Sequence, residues 1–184
     1  MQRKLGMTGH INDEASAERY TPAWIIAIAH ETMGGIDLDP CSCAEANKTV
    51  RATRYYTEQD DGLDFPWEGR VWMNPPYVRN VVRWFSEKLL KEDPAESMTL
   101  LLSSFDASWY RELLKYQQAV AIMQEIVTFN TPGQTASNKY VNDDGVSRYR
   151  LRPIALGYHG PNVDTFLDIC SYDERFGTLW EARH

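Results

Sequence analysis

The residues best suited to chemistry are Asn74, Pro75, Pro76 and Tyr77, which close the apolar run Val71-Trp72-Met73. Proline lacks the N–H that a sheet ladder needs and pushes the residue before it into an extended conformation. Asn74 is therefore expected at the carboxyl end of a strand with its amide pointing outward. There the Asn74 side-chain oxygen and the Pro75 carbonyl form two adjacent acceptors, able to take both hydrogens of an exocyclic amino group. Tyr77 adds a ring face on which a planar base can stack. Open α/β sheets bind ligands at this edge. A rigid turn after a strand could use the same four residues, so their surroundings decide their meaning.

Charge is unevenly distributed around this stretch. A net charge of −7 over 184 residues argues against indiscriminate binding to nucleic acid, because phosphate contacts need lysine and arginine. Yet Arg70, Arg79, Arg83, Lys88 and Lys91 follow one another with only Glu87 among them, and Lys139, Arg148, Arg150 and Arg152 form a second group. Each group is either a solvated face or part of a local DNA footprint. Carboxylates gather at Asp37 and Asp39 and again at Asp60 and Asp61, positions that strand ends and turns also favour. Cys41, Cys43 and Cys170 make no pairable framework, which fits a reducing compartment. Cys41 and Cys43 lack a second ligand pair, so no metal site is expected.

The elements that must position these groups are legible as periodic segments. Tyr20-Thr21-Pro22 opens a helix, with Thr21 as its cap and Pro22 in the first helical position, and Trp24, Ile25, Ile28 and Ala29 recur at helical spacing. Gly34-Gly35 ends it, and residues 36–40 alternate apolar and acidic as a short strand. A short helix over 44–48, a strand over 54–57, the strand before Asn74, and a helix on Val81, Val82, Trp84, Phe85, Leu89 and Leu90 follow. Residues 98–104 read as a buried strand, and a helix opens near Phe105, where Asp106 and Ser108 read as caps ahead of DNA contacts. Residues 119–129 and 154–159 read as an antiparallel edge pair, and 162–180 as a closing helix. Residues 130–152 are polar and basic, a long insertion of the kind that is usually functional or mobile.

The ordered series Ser16-x-Glu18-Arg19-Tyr20-Thr21-Pro22, Asp37-Leu38-Asp39-Pro40, Ala46-Asn47, Arg54-Tyr55-Tyr56-Thr57, Asp60-Asp61-Gly62-Leu63, Pro66-Trp67 and Gly69 through Tyr77 resembles the phage-type (Dam-type) DNA N6-adenine methyltransferase family. Coverage is good from about residue 16 to 114 and looser thereafter. The resemblance implies an α/β, Rossmann-like, S-adenosylmethionine-dependent fold: a mixed sheet with helices on both faces. It implies catalysis by Asn74, Pro75, Pro76 and Tyr77. Tyr20, Thr21 and Pro22 would meet the methionine part of the cofactor, and Asp37, Asp39, Pro40, Cys41 and Ser42 would form the cofactor turn. Asp60 and Asp61 would meet its adenosine. DNA would be held by Arg79, Arg83, Asn138, Lys139, Arg148, Arg150 and Arg152. One departure is plain: the usual Gly-x-Gly turn is replaced by Asp39-Pro40-Cys41-Ser42-Cys43-Ala44, without a glycine.

The expected organisation is a mobile lead-in over residues 1–15 and one methyltransferase domain over 16–184, with the polar insertion at about 130–152. A chain of this size has no residues left for a separate recognition domain, so the insertion is the expected DNA reader. No run of about 18 apolar residues and no signal-like apolar core occur, so a cytoplasmic protein without membrane contact is expected, in a bacterial host if the phage resemblance holds. Nothing in the sequence specifies an oligomeric state. Two other functions fit the same residues: transfer to a different amine (glutamine, guanine N2, cytosine N4), and an inactive methyltransferase-like module serving DNA binding or phage assembly.

Overall fold

The computed structural model describes residues 20–182, apart from positions 79, 125, 126, 128, 132, 133, 137, 138, 142–146 and 150–152; over residues 130–149 it describes strand backbones only. The expected lead-in lies outside the described residues. In chain order the elements are α1 (Ala23–Met33), β1 (Leu38–Asp39), α2 (Ala44–Val50), β2 (Arg54–Tyr55), β3 (Arg70–Met73), α3 (Val81–Glu92), β4 (Glu96–Leu102), α4 (Ser108–Tyr116) and β5 (Ala119–Met123). Four short strands follow, β6 (Phe129–Thr131), β7 (Gln134–Ala136), β8 (Lys139–Val141) and β9 (Ser147–Tyr149), then β10 (Ile154–His159), α5 (Val163–Ser171) and β11 (Phe176–Glu181).

The main sheet has seven strands in the order β11-β5-β10-β4-β3-β1-β2. β2, β1, β3 and β4 are parallel, while β10 runs antiparallel between β4 and β5, and β11 antiparallel to β5. Strand alternation separates two cores. Trp72, Met98 and Leu100 face one core with α1 and α5 residues such as Ile25, Ala29, Phe166 and Cys170. Val71, Met73 and Leu101 face the other with Phe85 and Leu89 of α3 and Tyr110 and Leu113 of α4. Residues of β3 and β4 are thus buried on both faces, which is why their sequences read as continuous apolar runs. Helices cover both faces of a mixed sheet, the Rossmann-like architecture of the methyltransferases.

The chain winds from β1 outward to β2 and then crosses back to place β3 on β1's other side. β1 and β3 therefore flank a topological switch point, the place at the carboxyl ends of the strands where open α/β sheets bind ligands. β5 runs in the same direction as β4, and β10 begins opposite Leu102 at β4's carboxyl end. Residues 124–153 consequently leave and rejoin the sheet at the same edge as Asn74.

Several expectations change. Pro22 is the N-cap of α1 itself, and no side chain caps the helix; Thr21 is turned to another partner. The N-cap of α4 is Ala107, whose side chain cannot cap it, where Asp106 and Ser108 were expected as caps. β5 stops at Met123, and β10 lies inside the sheet between β4 and β5. The edge beyond β5 is β11, where a closing helix over 162–180 was expected; α5 ends at Ser171. The polar insertion is built on two hairpins, β6–β7 and β8–β9.

Asp37 is fixed by the register. Leu38 pairs with Val71, so Asp37 lies beside Arg70 at the amino end of β3, far along the strand from Asn74. Its carboxylate accepts from the Arg70 backbone N–H (2.9 Å), Nε (2.9 Å) and Nη2 (2.8 Å). Those hydrogen bonds hold its pKa down to about 2, against an ordinary value of 3.8. A depressed carboxyl contributes stability that is present above its unfolded pKa and lost as pH falls through the folded one. Asp37→Asn should therefore reduce thermal stability at neutral pH and flatten the loss of stability between pH 3.8 and about 2. The effect should be on the order of 1 kcal/mol or less, because both partners are partly exposed. Parallel melting curves of parent and variant across that interval check it; identical acid limbs would contradict it.

Candidate active site

The carboxyl ends of β1, β3 and β4 gather most of the polar groups that the fold leaves unused. Asn74 follows β3 directly. Its Nδ2 donates to Thr21 Oγ1 at 2.9 Å, while Oδ1 is buried and has no hydrogen-bond partner. A buried acceptor left unpaired costs about 1–3 kcal/mol, so its position is one that a bound donor would satisfy. The Asn74 backbone lies near the Cys41 thiol. Ser42 Oγ, near the Asp39 carboxylate, and Ser103 Oγ, near the Tyr110 hydroxyl, are also buried without a hydrogen bond of ordinary geometry. Three of the four such orphan atoms among the described residues thus sit at this edge.

Asp39 ends β1 and is buried, with Oδ1 accepting the Cys41 N–H at 3.2 Å. Burial dominates its ionisation and raises its pKa to about 6, against the smaller opposing pull of Cys41 and Ser42. The Cys41 thiol is pushed well above its ordinary value by burial and by the neighbouring Asp39 charge. The absence of glycine in this turn has a visible consequence. The N–H of Cys41 is spent on Asp39 and that of Ser42 on the Tyr56 carbonyl (2.8 Å), so a ligand here would meet side chains more than backbone. Tyr20 closes the turn from above, its hydroxyl 3.7 Å from Cys43 Sγ, which itself caps α2 through the Ala46 N–H.

The second acidic pair arrives through a close backbone contact. Gly62 packs so tightly on the turn that a Cβ there would lie 1.9 Å from the Pro40 carbonyl oxygen. Trp67 Nε1 fixes the approach by donating to the Gly62 carbonyl at 2.8 Å. Asp61 adopts a left-handed φ of 54° and accepts the Leu63 N–H, whereas Asp60 is exposed and accepts from the N–H and hydroxyl of Thr57. Asp39, Pro40, Cys41, Ser42, Asp61, Tyr20, Thr21 and Asn74 therefore share one edge. Asp37 does not join them, because Arg70 holds it at the opposite end of its strand.

Beyond Asn74, Pro75 is buried and Pro76 exposed. Tyr77 donates its hydroxyl to the Leu100 carbonyl (3.2 Å) and meets Phe129 edge-on, ring centroids 6.3 Å apart. This contact anchors the start of the hairpin insertion to the Asn74 loop. Tyr77 also lines a groove of about 340 Å³ with Val78, Leu102, Ser104, Trp109 and the polar Asn80 and Arg83. Leu102, Ser104, Trp109 and Phe129 were not singled out in the sequence; an apolar strand ending on Ser103-Ser104 was the one signal that pointed there. Arg83 pairs with Glu87 at 2.7 Å one helical turn away. The strands place Lys139 opposite Tyr149 and Arg148 opposite Tyr140 on the β8–β9 hairpin. Arg79, Asn138, Arg150 and Arg152 lie outside the described residues.

A seven-stranded mixed sheet with its polar crevice at the β1/β3 switch point is that of a Rossmann-like methyltransferase. Residues 9–147 match the DNA N-6-adenine-methyltransferase (Dam) family, and the chain belongs to it. No curated protein matches the sequence. Among solved structures, a putative RNA methyltransferase, PH1948, from Pyrococcus horikoshii is similar over 74% of this chain and 77% of its own, at 13% identity and a TM-score of 0.39. Among the described residues no helix is long and apolar enough to cross a membrane, and no cluster of metal-ligating side chains occurs.

Proposed function

We propose that the protein transfers a methyl group from S-adenosylmethionine to the N6 amine of adenine in DNA, and that Asn74 Oδ1 is the group that carries the chemistry. The supporting observation is the acceptor itself: buried and unpaired, at the edge where the strand order reverses, with the Pro75 carbonyl the next acceptor along the chain. An exocyclic amine is a poor nucleophile because its lone pair is delocalised into the ring. Two acceptors that draw its hydrogens favour a pyramidal nitrogen and stabilise the positive charge that develops on it. When bound, S-adenosylmethionine supplies the electrophilic methyl group. The donor-accepting side chains suited to hold it are Asp39 and Asp61, with Ser42 and Tyr20 beside them. Since an amine inside a duplex is out of reach, the base must be flipped out, and the Tyr77–Trp109 groove has the apolar walls to receive it. DNA carrying 2-aminopurine at a methylated position tests this step. Its fluorescence should rise as the base leaves the duplex stack, and rise further with Tyr77→Ala, which removes the ring that stacks on it; no rise with either protein would argue against flipping.

Asp39 gives the cofactor reading a pH signature. Its folded pKa of about 6 means that it is charged above and neutral below that value. Cofactor hydroxyls would donate to the charged form, so affinity should fall by up to about tenfold per pH unit below 6. Asp39→Asn should abolish that slope, with calorimetry across pH 5 to 7 as the measurement. No cofactor binding at any pH would favour an inactive module.

The hairpin insertion, whose ends leave and rejoin the sheet at the active-site edge, is the proposed DNA reader. Replacing Arg148 and Arg150 together by alanine should lower DNA affinity and leave cofactor affinity unchanged. If about three side chains contact phosphate, binding should weaken with log salt at a slope of roughly −2 to −3. A salt titration of parent and variant that yields the same affinity and slope would place recognition elsewhere.

A further inference from the structure

We propose that Thr21 is a positioning residue for methyl transfer, its hydroxyl holding the Asn74 amide so that Oδ1 faces the reacting amine. The inference rests on the reading of Asn74 as the acceptor of amine hydrogens. An asparagine side chain has an accepting end and a donating end. A half-turn of the amide would set its NH2 against the substrate NH2, two donors face to face. The structure has Nδ2 committed to Thr21 Oγ1 at 2.9 Å, 53 residues away in sequence, and Oδ1 on the other side, buried and unpaired.

Thr21 is itself well fixed. It is buried, and the following proline restricts the residue before it to extended conformations. Pro22 in turn is the N-cap of α1, its carbonyl accepting from the N–H groups of Ile25 and Ile26. The Thr-Pro pair thus sets a rigid hydroxyl across the crevice from the Asn74 loop, which explains why Thr21 does not cap its own helix. A hydroxyl can also donate, and donation to Oδ1 would turn the amide the wrong way; acceptance from Nδ2 is the arrangement observed. Valine keeps the shape of threonine and removes the acceptor.

Single-turnover transfer rates and cofactor dissociation constants should be measured for Thr21→Val, Thr21→Ala and Thr21→Ser, with melting curves for each. Loss of the hydrogen bond should lower the transfer rate by roughly tenfold or more in the valine and alanine variants. Thr21→Ser should stay within a few-fold of the parent, and in the other two variants the loss of rate should persist at saturating cofactor. A rate restored to that of the parent by saturating cofactor in Thr21→Val and Thr21→Ala would overturn the proposal in favour of a direct cofactor contact. Parent-like rates in both would overturn it as well. Asn74→Ala, run in parallel, separates the two levels: if it stays active the reading of Asn74 has failed, and if it is dead while Thr21→Val is active only the positioning role has.

Discussion

Asn74→Ala should lower methyl transfer by on the order of 10²-fold or more while cofactor binding stays close to that of the parent. The magnitude is that of removing one preorganised acceptor aimed at developing charge in a water-poor site. Preorganisation is what the structure supplies: Oδ1 is buried with no partner to exchange, so it need not break a hydrogen bond before accepting one from the amine. The Pro75 carbonyl remains in the variant, which leaves one acceptor of two. Because the Asn74 side chain bonds Thr21 and not the acidic residues at the β1 turn, its removal should leave calorimetric cofactor affinity nearly intact. A rate within a few-fold of the parent would remove the Asn74 loop from the mechanism.

Gly62→Ala should be the most disruptive single change at the proposed cofactor site. The added Cβ would sit 1.9 Å from the Pro40 carbonyl oxygen, 3.0 Å from its carbon and 3.3 Å from Tyr56 Cβ. The first two are backbone atoms, which cannot swing away as a side-chain end would. Overpacking of this kind costs about 1–3 kcal/mol, and a chain of this length loses roughly 2–4 °C in Tm per kcal/mol. The functional effect should be larger. The turn bearing Asp61 must lift off the turn bearing Asp39, so cofactor affinity should fall at least tenfold even where the fold survives. Unchanged Tm and unchanged affinity would show that the two turns need not touch.

The local part of this architecture was legible before any coordinates. Proline after Asn74 stops β3 where an extended residue must stand, and two-sided burial of β3 and β4 leaves uninterrupted apolar runs. Glycine at position 34 ends α1 in a left-handed conformation. What escaped the sequence depends on partners far along the chain. Asp37 and Asp39 look alike as carboxylates flanking one leucine, but the β1/β3 register sends the first to Arg70 and the second to the crevice. Thr21 carries every local sign of a helix cap, and only the fold brings it to Asn74. The edge strand β11 was hidden for a different reason. It buries Phe176 but little else, so the apolar spacing of Val163, Phe166, Leu167 and Ile169 extended the expected helix over it. The missing glycines in the turn after β1 marked a real departure, whose physical content is that Cys41 and Ser42 spend their N–H groups within the protein.

The central claim, that this active site methylates adenine N6 in DNA, is tested most directly by following label from tritiated S-adenosylmethionine. DNA, RNA and protein should be offered side by side to the parent and to Asn74→Ala, and the labelled product digested to nucleosides or amino acids. The account predicts label in DNA alone, recovered as N6-methyldeoxyadenosine, and its loss in the variant. Label in RNA, in a glutamine side chain or in another base, or equal labelling by parent and variant, would contradict it.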